Sequence, residues 1–565
     1  MDVSIRIAGA AGQGMQTAAE MLGRTLAKAG LYVFVHQDIE SRIRGGINFS
    51  QLRVSNVPVA APVSQVDVLL AFTPESLQAF VGQVTTGGYV FCAKPVEGCP
   101  TLPVYLDDIA RQVGNKKTIS TVAAAISACL LGVDKTVMQN VLQRRFSGEV
   151  FEANRQAVHL AYENVRNQAL ESALRITPAS SIAQGRLFVA GAQSVALGAL
   201  AGGCTFLAAY PMSPATGIMS VLAEVTHDCG IWVEQTEDEI AAINMVAGAS
   251  YAGARAMTAT SGGGFALMTE GVSLLGMIEC PAVIVVAQRP GPATGLPTRT
   301  AQGDLRFVLH AGHGRFARAI LAPRTIAEAF HLTAHAFDLA ERFQIPVFVL
   351  TDQLLQDAQT IVDPWSIPPV QRYVLSGQEA EKLEQYERYA LTDDGISPMV
   401  LPGTSRHFVV VDSDEHDTNG HLTEDAAISE AMAAKRLRKI ATVATHAQFP
   451  ECSNHDPHLP LVISWGSSSP IVEEAIALLS AEAKTPVCNH MQFVQLWPLP
   501  DLFQLPVFAK ATRRVVVEHS AGDGIDGLLA QTQQTRPNAI INKINGRPFT
   551  VEELAERIRK EVYHG

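Results

Sequence analysis

The chain has 565 residues, 47% of them apolar and 17% charged, which excludes a disordered protein and leaves room for three or four domains with cores of their own. A formal charge of −12 argues against nucleic acid or an anionic membrane as the main partner. The opening MDVSIRIAGA alternates like a strand and lacks the basic start and long apolar core of a secretory signal, so a cytoplasmic protein is expected. The uncharged stretch Leu187 to Met212 reads as strand, Ala/Gly-rich helix and strand, because it holds Gln193, Ser194 and several glycines without basic anchors at both ends. The eight cysteines are scattered without a C-x-x-C pair, so no zinc site or iron–sulfur cluster is expected from this chain alone, and no metal ligand is assigned.

An apolar strand over 3–9 runs into Gly9-Ala10-Ala11-Gly12-Gln13-Gly14, a helix to about Ala29 and a second strand from Leu31 to His36, a β-α-β unit. Glycines between strand and helix free backbone N–H groups for an anion. The spacing G-x-x-G-x-G is not the dinucleotide fingerprint, so the turn is either phosphate-binding or tight for packing alone. Arg42, Arg44 and Gly45-Gly46 follow as a basic loop, lying in solvent or clamping an anionic ligand. Two more β-α units run to about Leu131, and a polar helical stretch leads to a Pro/Ser/Gly-rich linker at 176–185, giving a first domain of 1–178.

In the second domain (186–375), strands at Phe206–Ala209, Ala256–Thr260, Ala282–Ala287 and Pro346–Leu350 alternate with helices, which predicts a doubly wound, mostly parallel sheet. Ligands bind at the carboxyl edge of such a sheet, where Tyr210-Pro211-Met212-Ser213-Pro214 brackets a hydroxyl between prolines. The Pro/Gly-rich loop 289–304 presents Arg299 amid Thr294, Thr298 and Thr300, a surface loop or a seat for a carboxylate. The segment 234–265, EQTEDEIAAINMVAGASYAGARAMTATSGGGF, sets four acids at the start of a helix, then a strand, then Gly262-Gly263-Gly264. Its last acid, Glu239, is either a helix-start charge in water or a placed proton-handling group. Residues 376–455 read as a linker; within it the acidic run from Asp412 to Asp417 misses the spacing of a Ca²⁺ loop and is expected to be solvated. A third α/β domain fills 456–565. Its Gly522-Asp523-Gly524 resembles the start of the thiamine diphosphate Mg²⁺ motif, but the asparagines that follow come too soon, so this chain is not read as the diphosphate-binding half.

Together GAAGQG with SRIRGG, YPMSP, EDEIAA…GASYAGARAMTATSGGG, TGLPTRTAQGD and VISWGS…NGRPFTVEEL resemble the α subunit of a 2-oxoacid:ferredoxin oxidoreductase, in the form with a γ domain fused at the N-terminus. The most similar group is the 2-oxoglutarate:ferredoxin oxidoreductases. Ser213 departs from the family's more common Thr in YPITP, keeping the hydroxyl without the methyl. The resemblance implies a multidomain α/β fold with a thiamine diphosphate-binding, pyrimidine-type central domain and a transketolase C-terminal-like last domain. It implies thiamine diphosphate shared with a separate β subunit that carries the Mg²⁺ and a [4Fe–4S] cluster, coenzyme A as co-substrate, ferredoxin as electron partner, an (αβ)₂ assembly, and reversibility toward CO₂ fixation.

By the same resemblance Glu239 faces N1′ of the aminopyrimidine, with Tyr210 beside the cofactor. Ser213, Thr298 and Arg299 meet the 2-oxoacid, and Arg299 pairs with its carboxylate. Gly12, Gln13, Gly14 and Arg44 are assigned to covering the site and contacting coenzyme A or the distal carboxylate. Pyruvate or a broad range of 2-oxoacids competes with 2-oxoglutarate as substrate. A flavin- or NAD-dependent dehydrogenase would also explain the α/β domains but needs a dinucleotide fingerprint, which is missing. A non-catalytic scaffold subunit would leave Glu239 and Arg299 free to change.

Overall fold

The alternation at the N-terminus becomes β1 (Asp2–Ala11), whose Val3, Ile5 and Ile7 are buried, and the glycine turn leads into the helix Met15–Lys28. β2 (Tyr32–Asp38) runs in the same direction as β1, as a crossover requires, yet β3 (Gly45–Ser55) lies between them and pairs antiparallel with both. The β-α-β unit is therefore a split one. β4 (Val66–Ala71) and β5 (Val84–Cys92) extend the other edge in parallel, and β6 (Leu187–Ala190) joins through β13 (Gln359–Val362), giving the order β5-β4-β1-β3-β2-β13-β6. A large core cluster that includes Leu22, Leu26, Val33, Leu52 and Ile126 packs this sheet against its helices, and a smaller one gathers Val66, Leu69, Ala71 and Leu77.

The computed structural model describes residues 2–40, 45–99, 101–178, 185–367 and 369–563, and among these the chain forms two compact units. The sheet above belongs to the first, which comprises Met1–Ala190, Asp357–Trp365 and Phe549–Leu554.

In the second unit the strands β7 (Phe206–Ala209), β8 (Trp232–Gln235), β9 (Ala256–Thr260), β10 (Ala282–Gln288), β11 (Ala319–Leu321) and β12 (Pro346–Asp352) form a parallel sheet in the order β11-β12-β10-β9-β7-β8. Every residue of β10 and β12 is buried, as expected of strands covered on both faces. A second sheet holds β14 (Glu451–Ser453), β15 (Leu461–Trp465), β16 (Asn489–Phe493), β18 (Arg514–Glu518) and β19 (Ala539–Asn542), parallel except for β14 at its edge. β17 (Gln495–Trp497) leaves it to pair antiparallel with β11. This is the α/β architecture with mostly parallel sheets that the sequence predicts.

The stretch 376–455 does not behave as a solvated linker. Its helix Ala426–Ala444 sends Lys435 and Lys439 to the buried carboxylate of Glu279, with Lys435 Nζ 2.6 Å from Glu279 Oε1. Burial alone would raise the Glu279 carboxyl, but Lys439, Lys435 and Arg388 hold it down to about 2. His416, in the acidic run, is fully buried against the ring of Tyr389. Charged residues that read as solvated in sequence are here consumed by pairing, the condition under which buried charge is tolerated.

Candidate active site

Parallel strands deliver their carboxyl ends to one edge, and the second unit gathers its unusual loops there. β7 ends in the loop Tyr210–Pro214, β8 in Thr236–Asp238, β9 in Ser261 and the short helix Gly262–Leu267, and β10 in the loop 289–304. Thr236 ties two of these ends together, donating its N–H to the Ala209 carbonyl at 3.1 Å.

Glu239 opens the helix Glu239–Tyr251, but its neighbour does the capping. Asp238 accepts the Ala241 N–H at 2.8 Å, a contribution of about 1 kcal/mol to the helix start. Glu239 turns inward instead, 3% exposed, and its Oε1 is shielded from solvent with no hydrogen-bond partner. A helix-start charge would sit in water; this one does not. An unpartnered buried carboxylate oxygen costs about 1–3 kcal/mol or more, so the fold holds it there at the expense of stability.

The triple glycine is the other half of that arrangement. A Cβ on Gly264 would overlap both Glu239 Oε1 and Thr260 Oγ1, whereas one on Gly263 would meet only the Ala293 carbonyl, at an ordinary 3.6 Å. A Cβ on Gly262 would stand 2.5 Å from Asp304 Oδ2. Gly264→Ala is therefore expected to displace the Glu239 carboxylate, lowering stability by about 1–3 kcal/mol and turnover by more than about tenfold. Gly263→Ala should leave both unchanged. Melting temperature and turnover of the two variants side by side check this, and equal behaviour would remove Gly264 from the account.

The Tyr210–Pro214 loop lies over the end of β9, with Met212 Sδ 4.0 Å from Thr260 Oγ1. Tyr210 is exposed and Ser213 half-buried, and the Ser213 carbonyl accepts from Arg289 Nη1 at 2.8 Å. The loop 289–304 is stapled rather than loose. Arg299 N–H donates to the Leu296 carbonyl (3.1 Å) and Thr300 N–H to the Gly546 carbonyl (3.0 Å). Thr300 Oγ1 accepts the Leu354 N–H (3.2 Å). Gly546, at φ +74, packs where a Cβ would come 2.7 Å from Arg299 Cβ. Buried Gln302 finishes the anchoring: its amide donates to the Trp465 carbonyl (2.8 Å) and accepts from Ser468 Oγ (2.5 Å) and the His519 N–H (2.9 Å). Thr298 and Arg299 are both half-buried on this frame.

The other sequence-derived candidates lie in the first unit. Gly12 and Gly14 both sit at φ +85, which explains glycine at each. Gln13 spends its side-chain oxygen inside the turn, accepting the Ala10 N–H at 2.8 Å. Arg44 falls outside the described residues. The second unit thus brings Tyr210, Ser213, Glu239, Thr298 and Arg299 to strand ends of one sheet. Arg289, Gln302 and Asp304 went unnoticed in sequence, where a polar residue in a Pro/Gly-rich loop carries no mark of what it will bond.

The second glycine of Gly522-Asp523-Gly524 has a structural cause. The carboxyl of Glu518 accepts from Trp465 Nε1 (2.7 Å) and the Ile525 N–H (3.0 Å), and a Cβ on Gly524 would overlap it. Burial raises that carboxyl to about 7.

Residues 197–435 match the family profile described as pyruvate flavodoxin/ferredoxin oxidoreductase, thiamine diphosphate-binding, and residues 4–164 match pyruvate ferredoxin/flavodoxin oxidoreductase. A 2-oxoacid:ferredoxin oxidoreductase subunit alpha from a Sulfolobus species is 30% identical, over 100% of this chain and 98% of its own length. The chain belongs to the 2-oxoacid:ferredoxin oxidoreductase α subunits. A 2-oxoglutarate synthase subunit KorA from Methanocaldococcus jannaschii is also 30% identical, over 66% of this chain and 98% of the relative. Among solved structures, the 2-oxoglutarate:ferredoxin oxidoreductase of Magnetococcus marinus, with 2-oxoglutarate, coenzyme A and succinyl-CoA bound, superposes with a TM-score of 0.90 at 29% identity over 99% of both chains. The ring nitrogen of an aminopyrimidine can pair with a carboxyl group. Glu239 fits: it is enclosed, one oxygen has no partner, and the glycine against it leaves no Cβ in the way.

Proposed function

We propose that the chain is the α subunit of a thiamine diphosphate-dependent 2-oxoglutarate:ferredoxin oxidoreductase. The reaction converts 2-oxoglutarate, coenzyme A and two oxidised ferredoxins to succinyl-CoA, CO₂, a proton and two reduced ferredoxins, reversibly. The observation that supports this substrate over others is the full-length likeness to the Magnetococcus marinus enzyme, whose structure holds 2-oxoglutarate and succinyl-CoA. The Sulfolobus relative, named only for 2-oxoacids, supports a second reading in which pyruvate or a range of 2-oxoacids is accepted.

Bound thiamine diphosphate would supply the nucleophilic carbon and the electron sink for loss of CO₂. The chain's own part is binding and proton control. Glu239 would hold a proton at its unpartnered Oε1 toward the aminopyrimidine, beside Tyr210. Ser213 would donate a hydrogen bond to a keto or carboxylate oxygen. Arg299, with Thr298, would pair with the carboxylate, where the guanidinium fork matches two oxygens at once. Gly12, Gln13, Gly14 and Arg44 are proposed to contact coenzyme A or the distal carboxylate. A separate β subunit would carry the Mg²⁺ and a [4Fe–4S] cluster, in an (αβ)₂ assembly that reduces ferredoxin.

The test is turnover of the chain co-purified with its partner, following reduction of a viologen or ferredoxin with coenzyme A, on 2-oxoglutarate and pyruvate in parallel. Turnover of 2-oxoglutarate alone is expected. Equal turnover of both would favour the broad-range reading. With thiamine diphosphate and an intact cluster present, turnover of neither would leave a scaffold subunit.

A further inference from the structure

Arg289 and Asp304 stand at the same strand ends but have no place in the reading above. Arg289 follows the last residue of β10 and holds the Ser213 carbonyl through Nη1, at 2.8 Å. Within that loop Pro211 and Pro214 offer no backbone N–H of their own. Asp304 is fixed in turn from β10: its N–H donates to Gln288 Oε1 (2.9 Å), and Gln288 Nε2 donates to the Thr351 carbonyl on β12 (3.0 Å). Its carboxylate fills the space beside Gly262, with both oxygens within 2.7 Å of where a Cβ would stand. The two charges lie within electrostatic reach of one another, and burial pushes the Asp304 carboxyl up to about 6 against the pull of Arg289.

Here Arg289 Nε and Asp304 Oδ2 are both shielded from solvent without a partner, as Glu239 Oε1 is. Unsatisfied buried polar groups are uncommon in native folds, and several stand together at these strand ends. Asp304 also presses on the first glycine of the short helix whose third glycine meets Glu239.

From this geometry we infer that Arg289 is a positioning residue that sets the Ser213 loop by its carbonyl, with Asp304, packed on the first glycine of the short helix, as its nearby counter-charge. The inference rests on the reading of Ser213 as a substrate contact. Neither residue touches the reacting atoms in this account. Their effect runs through where the Ser213 hydroxyl is presented relative to Glu239.

The experiment uses the complex with its partner chain and measures KM for 2-oxoglutarate, KM for coenzyme A, thiamine diphosphate affinity in the cofactor-free complex, and melting temperature. Arg289→Ala is expected to raise the 2-oxoacid KM about tenfold, leaving coenzyme A KM and thiamine diphosphate affinity within about twofold. Arg289→Lys, which keeps a charged donor for the carbonyl, should stay within about threefold of the parent. Asp304→Asn, which keeps the shape against Gly262 and removes the counter-charge, should raise the 2-oxoacid KM about threefold. If Arg289→Ala does not fold, Asp304→Asn carries the test. An unchanged 2-oxoacid KM, or equal rises in both KM values, overturns the inference. Absence of turnover on any 2-oxoacid by the parent complex would instead remove the functional reading beneath it.

Discussion

Glu239→Ala is expected to cut turnover by about 10²–10⁴-fold, the range for losing a positioned proton-transfer group, while the complex stays folded. The two halves of that result belong together. Because Asp238 and not Glu239 caps the helix, the substitution leaves the helix start intact. Because Glu239 Oε1 has no partner, its removal relieves an unpaid desolvation cost that offsets the small cavity left behind. Melting temperature should therefore change by no more than about 2 °C, equivalent to about 2 kcal/mol for a chain of this size. Glu239→Gln fills the same space without an ionisable oxygen and should lose nearly as much turnover. The measurement is turnover with ferredoxin or a viologen, melting temperature, and the visible spectrum of the cluster proposed for the partner chain. Turnover within tenfold of the parent would take Glu239 out of the mechanism. A collapse in melting temperature would make it a structural acid.

How much of this was legible differs from residue to residue, for physical reasons. β7 and β9 are short, wholly apolar or hydroxylic runs set between Cys204-Thr205, Tyr210-Pro211, Arg255 and Ser261-Gly262, so local chemistry marks both ends. β8 was missed because WVEQ is short, half-exposed and ends in the same acids that announce the next helix. The acid cluster marked a helix start correctly, but the side chains alone left open which acid turns inward. That is decided by Gly264, which comes a strand and a turn later and admits Glu239 by having no side chain. The same holds for β3: nothing in the β1-helix-β2 pattern signals that a later strand will insert between the two.

Charge was the most misleading signal. The helix Ala426–Ala444 carries Lys435, Arg436, Arg438 and Lys439 within a stretch that reads as a linker, and all four are tied to acids or carbonyls of the second unit. Fully buried Lys435 meets Glu279, far upstream, and sequence periodicity has no means of pairing them. Arg289, Gln302 and Asp304 are the same problem at the site. Each is defined by a hydrogen bond to another strand end or to the last sheet, so each becomes visible only when the loops are closed over one another.

Arg299→Ala is expected to raise the KM for the 2-oxoacid by about 30–1000-fold, which corresponds to the roughly 2–4 kcal/mol that a charge-assisted, two-pronged carboxylate contact supplies. Coenzyme A KM should stay within about twofold if Arg299 serves the 2-oxoacid. The backbone bonds to Leu296 and Gly546 and the Gln302 bonds to Trp465 and His519 do not involve the Arg299 side chain and remain when it is truncated. Arg299→Lys restores the charge without the planar fork and should recover only part of the loss. The partition between KM and kcat carries further information. An effect confined to KM would mean that the carboxylate is gripped equally before and during its departure as CO₂. A fall in kcat as well would mean that the grip tightens as charge moves off the carboxylate and onto the cofactor. Parallel rises in the KM for 2-oxoacid and for coenzyme A would reduce Arg299 to a packing residue against Gly546, and the carboxylate would have to be sought on another strand end.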